Sequence, residues 1–117
     1  MAAPNIVNVT TITGKTAVLA VTTTATAIVT NSGSSGKVFK VNALYISNID
    51  GVNAADVNVD IFRSSVAYRI AQTISVPADA TLDIISKSLY LEEGDALRIT
   101  ASANSDLEAV CSYEEIS

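Results

Sequence analysis

The sequence predicts an all-β protein: one antiparallel β-sandwich of jelly-roll type, with about eight to nine short strands. Three observations predict it. Apolar and polar residues alternate over residues 56–63 (Val57, Val59 and Ile61 against Asp56, Asn58 and Asp60) and again over 95–103 (Leu97, Ile99 and Ala101 against Arg98, Thr100 and Ser102), the period of a strand with one face in a core and one in water. Turn residues punctuate the chain at intervals of roughly 8–12 residues. The apolar residues make up 49% of the chain but aromatics only 5%, with no Trp, so the core must be Val, Ile, Leu and Ala, and β-branched side chains pack well on pleated strands. At 117 residues the chain is expected to form a single domain over 1–117, able to bury roughly two-thirds of its unfolded surface.

Taken in order, residues 5–12 are rich in Val, Ile and Thr and read as a first strand, with Gly14-Lys15 as punctuation after it. Residues 16–21 and 25–30 follow as two β-branched runs around Thr22-Thr23-Thr24. Ala17, Ala20, Ala25 and Ala27 are compatible with helix, but the Thr and Val content favours strand. Asn31-Ser32-Gly33-Ser34-Ser35-Gly36 is a loop. Val38 to Asn48 is the longest candidate strand and stops at the turn signal Asn48-Ile49-Asp50-Gly51. In residues 56–63, Val57, Val59 and Ile61 are expected inside and Asp56, Asn58 and Asp60 outside. Ser64-Ser65 turns the chain into residues 67–76, and Pro77-Ala78-Asp79 breaks the pattern.

Residues 81–91 carry both signals: Leu82, Ile85 and Leu89 at helical spacing, and Ile84, Ile85, Tyr90 and Leu91 that suit a strand, which is the preferred reading. Residues 89–103 read as a hairpin folded about Glu92-Glu93-Gly94-Asp95. Leu97, Ile99, Ala101 and Ala103 are expected to point inward, and Arg98, Thr100 and Ser102 outward. After Asn104-Ser105-Asp106, the last strand should turn Leu107, Ala109, Cys111 and Tyr113 inward. No helix is required and no internal repeat is evident.

Composition narrows the function classes. A net charge of −5 does not attract nucleic acid or anionic lipid, so neither nucleic acid nor membrane is expected as a partner. Histidine is absent and Cys111 is the one cysteine, which removes the usual general base, an intrachain disulfide and a zinc cluster. Met1-Ala2-Ala3-Pro4-Asn5 lacks the basic-then-apolar pattern of a signal peptide, and no run approaches the ~20 residues of a membrane span, so a cytosolic origin is expected.

Motif fragments fall to their context. Gly14-Lys15-Thr16 matches the end of a phosphate-binding loop, but Val9 stands where its first Gly belongs; Gly36-Lys37 is followed by Val38 and preceded by Asn31 in the same places. Both lead into strand patterns, not the helix N-terminus such a loop needs. The acidic groups Asp79/Asp83, Glu92/Glu93/Asp95 and Glu114/Glu115 lie in turns or at the terminus, where they are expected to be solvated and so not shifted apart for acid–base work. Glu92, Glu93 and Asp95, or Asp50-Gly51-Val52-Asn53, offer oxygens to calcium but lack a spaced ligand series; a tight turn using Gly94 is the simpler account. Cys111, on the face of Ala109 and Tyr113, reads as a small buried hydrophobe. Asn8-Val9-Thr10 is a glycosylation sequon that needs a secretory route to matter. No catalytic, cofactor-binding or metal-binding residue is assigned, and no enzyme activity or cofactor is expected.

Binding is the remaining class. Arg63, Tyr68 and Arg69 flank an expected hairpin tip and form the candidate interface, either gripping an acidic neighbour through forked hydrogen bonds or serving as an exposed solubilising group. Residues 5–30 carry Lys15 as their one charged side chain; such a segment is expected to pair with a neighbouring subunit or to form an interior sheet edge. A carbohydrate-binding sandwich would need exposed aromatic platforms. Phe39, Tyr45 and Tyr113 are assigned inward, leaving Phe62 on the polar face, with Tyr68 near it.

The stretch Lys37-Val38-Phe39-Lys40-Val41-Asn42-Ala43-Leu44-Tyr45-Ile46-Ser47-Asn48-Ile49-Asp50-Gly51 carries a resemblance, with Ser75-Val76-Pro77-Ala78, Leu91-Glu92-Glu93-Gly94-Asp95 and the ending Ser112-Tyr113-Glu114-Glu115-Ile116. In this order they resemble small virion structural proteins of tailed phages, notably those infecting marine cyanobacteria, over roughly residues 37–117. The resemblance implies a noncatalytic particle component of jelly-roll or related fold, foremost a capsid-surface decoration protein, alternatively a neck, collar or tail-fibre adaptor. It further implies other virion proteins as partners (the major capsid protein or neck and tail proteins), a homo-oligomer, and a place in the virion after assembly in the host cytoplasm.

Overall fold

The computed structural model describes residues 4–117; the expectation drawn from Met1-Ala2-Ala3 lies partly outside them. Among the described residues the chain forms nine strands and no helix: β1 (Ile12–Ala20), β2 (Thr26–Thr30), β3 (Val38–Asn48), β4 (Ala55–Arg63), β5 (Val66–Val76), β6 (Thr81–Asp83), β7 (Leu89–Leu91), β8 (Ala96–Ala101) and β9 (Leu107–Ile116). They make two antiparallel sheets. One runs β1-β9-β3-β6, with β7 also on β3; the other runs β2-β8-β4-β5. The fold is the expected antiparallel β-sandwich.

The inner faces meet in one core. Val41, Leu44, Ile46, Leu107 and Cys111 from the first sheet face Val57, Val59, Leu97 and Ile99 from the second, each essentially without exposure. Each buried Val, Leu or Ile contributes about 1.5–3 kcal/mol by leaving water. The alternation read over residues 56–59 and 97–101 puts its apolar members in this core.

β4 and β5 meet in a two-residue hairpin. Ser64 and Ser65 both take positive φ, 52° and 62°, the mirror-image turn whose twist suits antiparallel strands. Most other connections cross between sheets. The expected hairpin over residues 89–103 is one of these, and here the structure corrects the sequence: β7 pairs with β3, whereas β8 pairs with β2 and β4. Glu92-Glu93-Gly94-Asp95 is a corner, closed by the Asp95 N–H on the Glu92 carbonyl at 3.0 Å. Gly94, at φ +90°, fills the position that favours glycine.

Five further expectations change. Residues 5–11 are not a strand. The Asn5 side chain accepts the Val7 N–H at 3.0 Å and the Asn5 carbonyl accepts that of Asn8, a local turn that competes with sheet pairing. Gly14-Lys15 lies inside β1, not after the first strand, because nine consecutive residues pair in unbroken register with β9. Residues 81–91 form two short strands, β6 beside Tyr45–Ser47 and β7 beside Phe39–Val41, with Ile85 buried in the gap. Tyr45 points outward, 43% exposed. A bulge between Val41 and Ala43 shifts the parity of β3, so Phe39 and Val41 face in, but so do Leu44 and Ile46. Ala103 lies just beyond β8 and is half-buried rather than a core residue.

Two buried asparagines pin the ends. Asn31 donates both amide hydrogens, to the Lys37 and Leu91 carbonyls, and accepts from Ser35. Its backbone exchanges bonds with the corner, from Gly94 N–H and to the Asp95 carbonyl, each 2.8 Å. Asn48 donates to the Asn53 and Val76 carbonyls and accepts the Asp50 N–H, each at 2.9 Å. Loops that would otherwise strand buried carbonyls are satisfied from one side chain each.

Candidate interaction surface

Arg63 ends β4 beside the corner between β7 and β8. Its Nε donates to Asp95 Oδ1 at 2.7 Å, and Nη2 donates to Asp95 Oδ2 and to Glu92 Oε2. Asp95, expected in solvent with the other turn carboxylates, is instead 1% exposed, because Arg63 covers it, and it also accepts the Glu92 N–H at 2.8 Å. Burial works to raise the Asp95 pKa; the Arg63 hydrogen bonds, the Glu92 N–H and the Arg63 charge outweigh it and hold the carboxyl below the usual range. The same contacts raise the Arg63 pKa. Glu93 Oε2 accepts the Gly36 N–H at 3.0 Å. The acidic turn is thus occupied by an arginine and a loop amide. The open depression over it is lined by Arg63, Ser64, Glu92, Glu93, Gly94 and Asp95; Arg63 bridges Asp95 and Glu92, and Glu93 holds the Gly36 amide.

A second row crosses the outer face of the other sheet. Arg98 on β8, Asp60 on β4 and Arg69 on β5 are register neighbours. Arg98 Nε donates to Asp60 Oδ1 at 3.0 Å, and Arg69 Nη1 lies 3.7 Å from Asp60 Oδ2. Asp60, expected in solvent, is 1% exposed: it does face outward, but the arginines roof it. Arg98 also lies over the Phe62 ring, 3.9 Å from its centroid, a cation–π contact. That occupies one face of the aromatic a sugar would stack on.

The structure therefore separates the predicted interface residues. Arg63 is held at the corner, Arg69 leans on Asp60, and Tyr68, 58% exposed, is the register partner of Ile61, on the opposite face of the sheet from Arg69. The arginines serve the fold first. The asparagines were missed as structural anchors, since Asn in a Ser/Gly run or before Asp-Gly reads as turn chemistry.

A third feature is apolar. Val18 on β1, Val110 on β9 and Tyr45 on β3 lie in register across the outer face of the first sheet, with exposures of 74%, 37% and 43%. Beyond Val18 is the open edge of β1. Lys15, the strand's one charge, turns inward to Glu115 at 3.1 Å, and Lys37 reaches the same carboxylate. Burial works to raise the Glu115 pKa, but the two lysines lower it below the ordinary value. Among the described residues, no three Asp, Glu, His or Cys side chains gather as a metal site.

No family model matches the chain, and no curated protein matches it in sequence. Among solved structures, a chain from one described as "Bacillus endospore appendages form a novel family of disulfide-linked pili" is similar, with a TM-score of 0.53 and 16% identity, covering 92% of this chain and 88% of that one. At that identity the likeness is one of fold: an antiparallel β-sandwich shared along nearly the whole chain.

Proposed function

We propose that this protein is a noncatalytic structural subunit that works by protein–protein assembly, foremost as a decoration protein on the capsid surface of a tailed phage. The observation that carries the assembly reading is the exposed apolar row Val18–Val110–Tyr45 running to a strand edge that is open among the described residues, while the arginines of the other sheet are committed to internal ion pairs. Long, flat edges are templates for another chain. The resemblance over residues 37–117 supplies the virion setting, with the major capsid protein as partner and neck or tail proteins as alternatives. The strand order supports a jelly roll: β6 and β7 act as one interrupted strand, and the two sheets then have the interleaved order of paired Greek keys.

Copy number in purified virions, by quantitative mass spectrometry, tests this reading. Hundreds of copies support head decoration. About a dozen support a neck or vertex part on a symmetric ring. Absence from particles would remove the virion reading.

A second reading, a pilus-type filament subunit, is favoured by the structural likeness. Electron microscopy of the purified protein separates the two, since a filament subunit forms fibres without capsids. A cross-link between filament subunits through Cys111 is disfavoured because that thiol is fully buried. The carbohydrate-binding reading has less support, because Arg98 covers Phe62.

A further inference from the structure

The free edge of β1 has a self-complementary hydrogen-bonding pattern. Thr11 exchanges both backbone bonds with Ser117, and the Val21 N–H reaches the Leu107 carbonyl. In an antiparallel pair, bonded positions alternate, so the odd residues of β1 face β9. Ile12, Gly14, Thr16, Val18 and Ala20 therefore point their N–H and C=O groups away from the sheet, where β1 has no neighbour among the described residues.

We infer that β1 pairs antiparallel with β1 of a second copy about a two-fold axis at Thr16, making one continuous sheet across a dimer. This rests on the assembly reading above and names its partner and register. Centred on Thr16, the pairing sets Gly14 opposite the partner's Val18 and Ile12 opposite the partner's Ala20. Every outward backbone group finds a mate, and each large side chain meets a small one. Gly14 has no heavy atom within 4 Å of where its Cβ would stand, leaving open space over which the partner's Val18 can lie.

Charge and geometry single out this edge. The chain is acidic overall, so copies repel, but β1 carries only Lys15, which the register sets opposite the partner's Ala17 and which Glu115 of its own chain already holds. The other edges are blunted, as edges that avoid pairing are. β5 has register shifts and a positive φ of 55° at Thr73; β2 is five residues long with a bulge; β6 and β7 have three residues each. Isologous two-fold contacts are the commonest route to a homo-oligomer, and strand addition draws its affinity from the main chain. One strand seam is smaller than a standard interface of about 800 Å² per partner, so the dimer should dissociate on dilution.

Sedimentation over a concentration series tests this on the wild type, Thr16→Pro and Val18→Lys. Proline at Thr16 removes an outward N–H and leaves the β1–β9 bonds intact; lysine at Val18 puts a charge on the edge. The expected result is a wild-type dimer and two monomeric variants, each with a cooperative thermal transition. Thr16→Cys should also cross-link to itself under mild oxidation, because bonded pairs place Cα atoms about 5.5 Å apart, within disulfide reach, and the buried Cys111 does not compete. A dimer that persists in folded Thr16→Pro and Val18→Lys would overturn the β1 pairing and leave assembly standing. A wild type that stays monomeric at millimolar concentration and gives no Thr16→Cys cross-link would overturn the pairing and self-assembly together.

Discussion

Arg63 grips Asp95 through both carboxylate oxygens, and in doing so ties the end of β4 to the corner where the chain leaves one sheet for the other. Asp95 is buried and Arg63 half-exposed, so the pair lies between a solvated and a buried bridge. Removing Arg63 leaves a buried carboxylate without its cation. Arg63→Ala and Asp95→Ala are each expected to cost about 1–3 kcal/mol, and the double variant less than their sum. Urea denaturation of the full cycle checks this; additive losses would show that the two residues do not act as a pair.

Acid should weaken the fold at two separate ion-paired carboxylates. The carboxyls of Asp95 and Glu115 both titrate lower in the folded chain than ordinarily. The unfolded chain therefore binds more protons as pH falls through the usual carboxylate range, and stability follows pH downward there. The contribution is full above an unfolded pKa of about 4 and is lost as pH drops through the folded values. Denaturation midpoints should be level near neutrality and decline below about pH 4, with a shallower decline in Asp95→Asn.

Asn31 holds the loop of residues 32–37 against the corner, and its replacement leaves the Lys37 and Leu91 carbonyls without their donor. Asn31→Ala should cost about 2–4 kcal/mol. Asn31→Asp keeps the shape and loses the donors, so it should fare no better. Hydrogen exchange should quicken at Gly36 and Gly94 in both variants; unchanged protection there would show that the loop is held by other contacts.

Cys111 is buried in the core, and burial pushes its thiol pKa up to about 11. A thiol so placed is a poor nucleophile. It should resist a thiol-reactive dye in the native protein and react fully in denaturant. Fast native labelling would mean that β9 opens locally.

The alternating segments were legible because each has one buried and one wet face: residues 56–59 and 97–101, and Leu107, Ala109 and Cys111 in β9, behave as their period predicts. Alternation extended across an unseen bulge is what misplaced Tyr45, since one extra residue between Val41 and Ala43 reverses the sequel. Asp60 was misread for a different reason. Its face was right, but burial there depends on Arg98 and Arg69, which arrive from other strands. The acidic turn at Glu92–Asp95 and the basic residue Arg63 were each visible as unusual; that they belong together is a fact of topology, and only a buried carboxylate's need for a cation hinted at it. The turn chemistry of Gly94 was recognised, but a turn residue does not say whether its strands pair with each other or diverge into different sheets.

The pairing of β1 with β9 also sets an order of events during synthesis. The first strand leaves the ribosome long before β9, its one sheet neighbour among the described residues, and that ladder cannot close until the last strand is free. Contacts so distant in sequence fold slowly, and the waiting segment is an apolar, almost uncharged strand of the kind that aggregates when left exposed. A nascent chain stalled before residue 107 should remain protease-sensitive throughout its first sheet and lean on chaperones, whereas release of β9 should bring protection to β1 and β9 at once.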